Sequence, residues 1–99
     1  MEGEKQMAEL TLKKPFELNG EKVEKIEYDL EALTGDDIEH AIAELAKKGI
    51  IVTMIETDQR YHAMLFAVAA GIAYEDVKRL PAKDFNRATN AVRDFFLEE

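Results

Sequence analysis

The stretch that decides the fold is AVAAGIAYEDVKRLP, residues Ala67 to Pro81. Small residues lead into Gly71, an apolar residue and a short amphipathic turn follow, and Pro81 presets the start of another helix. Two interpretations fit this outline. It is either a helix-turn-helix that reads DNA, or a corner where two helices pack closely through Ala67, Ala70 and Gly71.

The charge of the chain argues against DNA. The 99 residues carry 13 basic and 21 acidic side chains, a formal net charge of −8, whereas a DNA-binding protein neutralises phosphates with a basic surface. A recognition helix would begin at Tyr74-Glu75-Asp76 and would place two carboxylates against the phosphates, with only Lys78 and Arg79 to offset them. We therefore favour helix packing and keep a helix-turn-helix DNA-binding regulator as the alternative function.

The residues before the helical part predict a β-hairpin. Apolar side chains recur at alternate positions up to the dipeptide Asn19-Gly20, which is a strong signal for a two-residue hairpin turn because both positions tolerate positive φ. The alternating apolar residues of the first strand are Leu10, Leu12, Phe16 and Leu18, and those of the returning strand are Val23, Ile26, Tyr28 and Leu30.

An unbroken ladder between these strands gives two poor pairings. It places Lys14 opposite Lys25, where like charges destabilise the sheet, and it places Leu12 opposite Glu27. One extra residue on the returning strand at Glu24-Lys25 removes both, and brings Leu12 opposite Tyr28 and Leu10 opposite Leu30. We therefore predict a β-bulge at Glu24-Lys25.

Capping signals mark the helices that follow. Thr34 can cap a first helix with the apolar stripe Ile38, Ala41, Ile42 and Leu45, which ends at Lys47-Lys48-Gly49. Thr57 or Asp58 can cap a second helix that runs to about Ala70. A short helix before Leu80 and a last helix from Ala82 to Leu97 complete the chain.

The segment Ile50 to Ile55 has no clear assignment. It is β-branched and nearly all apolar, so it predicts either a third strand or an extended arm under the helices. We expect it to lie in the core. The alternative is that it forms an exposed edge that binds a neighbouring chain.

These elements predict an α+β fold, with an N-terminal β-hairpin followed by three main α-helices and one short helix. Residues 1–8 are expected to be a flexible leader and residues 9–99 a single domain, with the hairpin at about 9–31 and the helical part at about 34–97. The longest apolar run, Met64 to Ala73, is too short to span a bilayer. We expect a soluble protein without membrane attachment.

Candidate chemistry is sparse. Asp36, His40 and Glu44 share one helix face, but a straight stripe about 12 Å long cannot bring all three to one metal ion. A metal site here would use at most two of them, with further ligands from elsewhere, and we favour a solvated polar face instead. His62 beside Tyr61 is expected to be packed or exposed without a catalytic task. The chain contains neither Ser nor Cys, so Thr is what remains of the usual hydroxyl and thiol nucleophiles. We predict no enzymatic activity, no metal and no cofactor.

Aromatic residues near the end of the chain are the remaining candidates for a binding surface. Phe95 and Phe96 point about 100° apart around a helix, so one of them is expected to project from the fold unless both line a broad core face. We predict a partner-binding surface on the last helix around four residues: Phe85, Val92, Phe95 and Phe96.

The order of these elements resembles a known family. The segments KKPFELNGEKV, YDLEALTGDDI and AAGIAYEDVKRLPAKDFNRATNAVRDFFL occur in the same order as in the small tail assembly chaperones of Mu-like and related long-tailed bacteriophages and prophages. The resemblance runs from about Thr11 to Leu97, and its most specific pieces are Leu33-Thr34-Gly35-Asp36 and Leu80-Pro81-Ala82-Lys83-Asp84-Phe85. Residues 50–55 match least.

The resemblance implies a role in viral morphogenesis without catalysis. Proteins of this family are thought to coat the tape measure protein in the host cytoplasm before the tail tube forms around it, and to be absent from the mature virion. The implied partners are therefore the tape measure protein, a possible frameshifted longer form of the chain and possible further copies in a homo-oligomer, with no nucleic acid and no membrane.

Overall fold

The computed structural model describes residues 7–98. It has a two-stranded antiparallel sheet, β1 (Ala8–Leu18) and β2 (Glu21–Tyr28), a 3-10 turn (Leu30–Ala32), and four helices: α1 (Gly35–Lys47), α2 (Gln59–Ala70), α3 (Tyr74–Lys78) and α4 (Ala82–Leu97). This confirms the predicted fold class. The first six residues of the expected leader lie outside the described residues, and Ala8 already begins β1.

The hairpin turn forms as its sequence predicts. Asn19 and Gly20 both adopt positive φ, at 54° and 84°, and Phe16 pairs with Val23 beside the turn. The apolar residues of the two strands that alternate toward the helices are buried against them, so one face of the sheet belongs to the core. These buried residues are Leu10, Leu12, Phe16, Ile26 and Tyr28.

The predicted bulge lies on the wrong strand. The register shifts between Thr11 and Phe16 of β1, and the four residues between them lie opposite the single residue Glu24 of β2. Pro15 is one of the four and has no backbone N–H to give to a ladder. The N–H of Lys13 instead donates to Asp84 Oδ2 of α4 at 3.3 Å. The extra residues therefore belong to β1, and Ala8 rather than Leu12 faces Tyr28.

Helix α2 is the centre of the core. Its seven consecutive residues 61–67 are all buried, as expected for a helix surrounded by protein. It packs against α1, α3 and α4 and against β2. Ala63, Ala67 and Ala88 are almost fully buried, and their small side chains allow α2 and its neighbours to approach closely.

Local signals fix the ends of the helices. Thr34 accepts a hydrogen bond from the N–H of Asp37, whose carboxylate accepts from the N–H of Thr34 in return, so α1 begins with a capping box. Asp58 caps α2, which ends at Gly71 in the left-handed region with φ 72°. The corner between α2 and α3 buries Ala67 and Tyr74. The expected close packing through Gly71 is wrong, because Gly71 is exposed with open space where a Cβ would lie, and Ala70 is only half-buried.

Candidate partner-binding groove

Exposed apolar side chains collect on three neighbouring parts of the chain. Among residues 7–98, the exposed large hydrophobic residues other than Met7 come from α1, from the loop before α2 and from the end of α4. They are Ile42, Ile51, Met54, Ile55, Phe96 and Leu97. This concentration of exposed apolar side chains makes these parts the candidate surface for contact with another molecule.

Together with the first turn of α2, these three parts enclose a depression of about 200 Å³, which we call the apolar groove. Its walls come from α1, from the loop, from the first turn of α2 and from the last turns of α4. The lining residues are Ile38, Ile55, Glu56, Tyr61, His62, Arg93, Phe96 and Leu97. Ile42 lies one helical turn beyond Ile38 and extends the apolar surface along α1.

The loop of residues 50–58 forms one wall of the groove. Gly49 adopts φ 83° and ends α1, and the N–H of Ile50 donates to the carbonyl of Leu45 at 2.9 Å. Ile50 and Val52 pack against the core, whereas Ile51 is 76% exposed and Met54 is 61% exposed. The segment forms no strand, and the expectation that all of it is buried is wrong because several of its side chains face solvent.

The four predicted contact residues on α4 do not form one surface. Val92 is fully buried and Phe85 is half-buried against the core, so Val92 can support a contact surface only from beneath. Phe95 lines a shallow depression beside Tyr28 and Leu30 on the hairpin side. Phe96 lines the apolar groove.

The rings of Phe95 and Phe96 meet edge to face with centroids 5.1 Å apart. Phe96 is the more exposed of the two, at 43%, so it is the one that projects from the fold. Sequence reasoning missed the residues that α1, α2 and the loop bring to the groove, notably Ile38, Ile55 and Tyr61. The available signal was the apolar segment of residues 50–55, which offers more apolar side chains than a short loop can bury.

Polar side chains continue the groove at one end. His62 and Arg93 line both the apolar groove and an adjacent polar depression of about 290 Å³. The other residues of the polar depression are Thr57, Gln59, Asn86, Thr89 and Asn90. The pKa of His62 lies below its ordinary value, because the ring is buried and because Arg93 is near, while Asp58 opposes the shift.

The metal-site hypothesis gains no support from the side chains. Within residues 7–98, no cluster of three or more His, Asp or Glu side chains could hold a metal ion. Glu44 pairs with Lys47 at 3.2 Å, and this hydrogen bond lowers the pKa of the Glu44 carboxyl. Asp36 and His40 are exposed on the surface of α1.

The structure of α3 also gives little support to the DNA-binding interpretation. Helix α3 has only five residues, and two of them, Tyr74 and Val77, are buried. Arg79 pairs with Asp76 at 2.8 Å and lies over the ring of Phe16. Lys78 lies over the ring of Tyr74 at 5.3 Å, so both basic side chains of this segment contact aromatic rings of the domain itself. Separately, no helix within residues 7–98 has the length and apolar character needed to cross a membrane.

Comparison with known proteins gives one match. A family model described as "Phage tail assembly chaperone proteins, E, or 41 or 14" matches residues 9–97. The matched region contains both segments on which the resemblance rests, residues 33–36 and 80–85, and also all of the residues that line the apolar groove. No curated protein and no solved structure matches the chain.

Proposed function

Because the chain belongs to the phage tail assembly chaperone family, we propose that it binds the tape measure protein and keeps it soluble until the tail tube assembles around it. The family is not enzymatic, and a tail assembly chaperone acts on tail proteins. A tape measure protein is long and helical, and its apolar helix faces have no partner before the tube forms. A small domain that covers those faces prevents their aggregation.

The observation that supports this proposal is the apolar groove. Phe96, Leu97 and Ile55 remain exposed although the same chain buries a complete core elsewhere. An apolar depression between helices suits an amphipathic helix laid along it, with anchors spaced three and four residues apart. The groove therefore offers the contact that a helical client needs.

Modest affinity at each site is an advantage for this role. A long client offers many binding segments, and many copies along one client hold it firmly while each copy still exchanges. Arriving tube subunits can then displace the copies one by one. On this proposal the protein acts in the cytoplasm of the bacterial host and stays outside the mature virion.

Two further partners follow from the family resemblance. A frameshifted longer form of this chain would carry the same domain joined to an added segment, and would link the coated client to other tail proteins. Copies bound side by side would also touch one another, so a homo-oligomer on the client is part of the proposal.

Co-expression with the tape measure protein tests the function. The wild-type chain should raise the soluble fraction of the tape measure protein and co-purify with it. Phe96→Asp places a charge in the groove and should abolish both effects. Lys22→Asp, at the exposed tip of the hairpin, introduces the same side chain away from the groove and should leave both effects unchanged.

Two results would contradict the proposal. The function is wrong if the wild-type chain neither solubilises nor retains the tape measure protein. The assignment to the groove is wrong if Phe96→Asp and Lys22→Asp act alike while both variants stay folded, which circular dichroism verifies.

A further inference from the structure

Arg93 differs from the other three arginines of the chain. Each of the others holds a carboxylate closely: Arg60 with Asp58 at 2.8 Å, Arg79 with Asp76 at 2.8 Å and Arg87 with Asp84 at 2.7 Å. Among residues 7–98, the carboxylate nearest to Arg93 is that of Asp94, at 4.0 Å, which is beyond hydrogen-bond distance. The half-exposed guanidinium at the rim of the groove therefore has no hydrogen-bonded carboxylate within the described part of the chain.

His62, which also lines the groove, is a second polar side chain that can still form hydrogen bonds. Its side chain is only 4% exposed, and among residues 7–98 neither ring nitrogen has a hydrogen-bond partner; its ring contact is with Tyr61. A buried polar group without a partner costs about 1–3 kcal/mol. Because His62 lines both depressions together with Arg93, a group that bound there would meet both side chains.

We propose that the groove selects an amphipathic helix that carries a Glu or Asp at the edge of its apolar stripe. The apolar side chains of that helix pack on Ile55, Phe96 and Leu97. Its carboxylate lies where the groove meets the polar depression, and accepts hydrogen bonds from the guanidinium of Arg93 and from a ring N–H of His62. That this helix belongs to the tape measure protein rests on the function proposed above.

The charges around the groove favour a single carboxylate over a polyanion. Glu56 also lines the groove, and the chain as a whole carries a net charge of −8. A nucleic acid or a strongly acidic segment would meet this repulsion along its whole length, with Arg93 as the one arginine of the groove to offset it. One acid on an otherwise neutral or basic helix meets Arg93 and avoids most of the remaining carboxylates.

Model helices test this selectivity without the natural client. Three synthetic amphipathic peptides have the same Leu stripe and differ at one edge position, which is Glu, Gln or Lys. Their affinities for the full chain are measured by calorimetry. The Glu peptide should bind about tenfold more tightly than the Gln peptide, as expected for a charge-assisted hydrogen bond, and the Lys peptide should bind most weakly.

Variants of Arg93 identify the source of the preference. In Arg93→Gln the preference for the Glu peptide over the Gln peptide should fall well below its wild-type value, because only the ring N–H of His62 is left to donate to the carboxylate. In Arg93→Glu the order should reverse so that the Lys peptide binds best. Lys83→Gln removes an exposed cation from the same helix outside the groove and should preserve the wild-type order. NMR signals of the His62 ring should move on binding of the Glu peptide, while those of exposed His40 should not.

The different results separate this inference from the proposed function. Absence of peptide binding, equal affinities for the three peptides, or a Glu preference that is undiminished in Arg93→Gln would overturn the inference, even if the chain solubilises the tape measure protein. If the predicted order holds but the tape measure protein is not solubilised, the selectivity of the groove stands and the proposed client is wrong.

Discussion

The two halves of α4 use their side chains in opposite ways. In the first half, residues 82–90, Asp84 and Thr89 are buried and each has close polar partners. In the second half, residues 91–97, the carboxylate nearest to Arg93 among the described residues is 4.0 Å away, and Phe96 and Leu97 face solvent. The helix is continuous, so this difference reflects the side chains and their surroundings rather than the backbone.

The hydrogen bonds of Asp84 and Arg87 explain the role of the first half of α4. Asp84 Oδ1 accepts from Arg87 at 2.7 Å, and its Oδ2 accepts from the N–H of Lys13. Arg87 also donates to the carbonyl of Thr11 at 2.7 Å. These bonds hold the break in the β1 ladder against α4, so the first half fastens the hairpin to the helices. On the function proposed above, the second half is the part that contacts another molecule.

Removing the carboxylate of Asp84 should have the largest effect. Asp84→Ala leaves the N–H of Lys13 without a partner and Arg87 without its counter-ion, and should lower the free energy of unfolding by about 2–4 kcal/mol. Asp94→Ala makes the same change in the second half, where the side chain is exposed, and should cost less than about 0.5 kcal/mol. Urea denaturation measures both values, and equal costs would remove the distinction between the halves.

Val92 should show how far the core reaches into the second half. Val92→Ala removes two methyl groups from a fully buried site and should lower the free energy of unfolding by about 2 kcal/mol. Client solubilisation should persist below the melting temperature of the variant, since Val92 does not line the groove. A loss of solubilisation by a variant of unchanged stability would instead place Val92 in the contact surface.

The hairpin and the helix ends show what local sequence can and cannot predict. The turn at Asn19-Gly20 and the caps at Thr34 and Asp58 were predictable because each depends on a few neighbouring residues. Which strand carries the register shift was not predictable in this way. The position of the shift depends on Asp84 and on Pro15, which are far apart in the sequence. Only the folded chain brings them together.

The second half shows a different limit. The amphipathic pattern of α4 identified Phe95 and Phe96 as candidates, but it could not tell which neighbours each ring meets. The groove also requires Ile38 and Ile55, which belong to other parts of the chain. Which side chains of residues 50–55 are exposed depends on how the loop packs after Gly49, and periodicity does not encode that packing.

The adjacent rings of Phe95 and Phe96 allow a direct test within the second half. Both alanine variants lose the edge-to-face contact, so its contribution cancels in their comparison. Phe95→Ala also loses packing against the core on the hairpin side, and should cost about 1 kcal/mol more in unfolding free energy than Phe96→Ala.

Binding should follow the reverse order. Phe96→Ala should weaken retention of the tape measure protein, whereas Phe95→Ala should leave it nearly unchanged once stability is taken into account. Chemical denaturation and co-purification give the two measurements. Stronger loss of binding in Phe95→Ala would move the contact surface to the hairpin side of α4.

His62, which faces the second half of α4, should produce the smallest effect, and it should appear only on acidification. Burial and Arg93 lower the pKa of His62 in the folded protein, so below about pH 6.5 the unfolded chain binds more protons than the folded one. The folded state should therefore lose stability as the pH falls from about 7.5 to about 5.5, with a slope of less than one proton. His62→Gln should remove this part of the pH dependence, whereas His40→Gln on exposed α1 should retain it. Thermal unfolding across this pH range measures the difference, and identical profiles for the wild-type chain and His62→Gln would mean that the imidazole is not held neutral beside the groove.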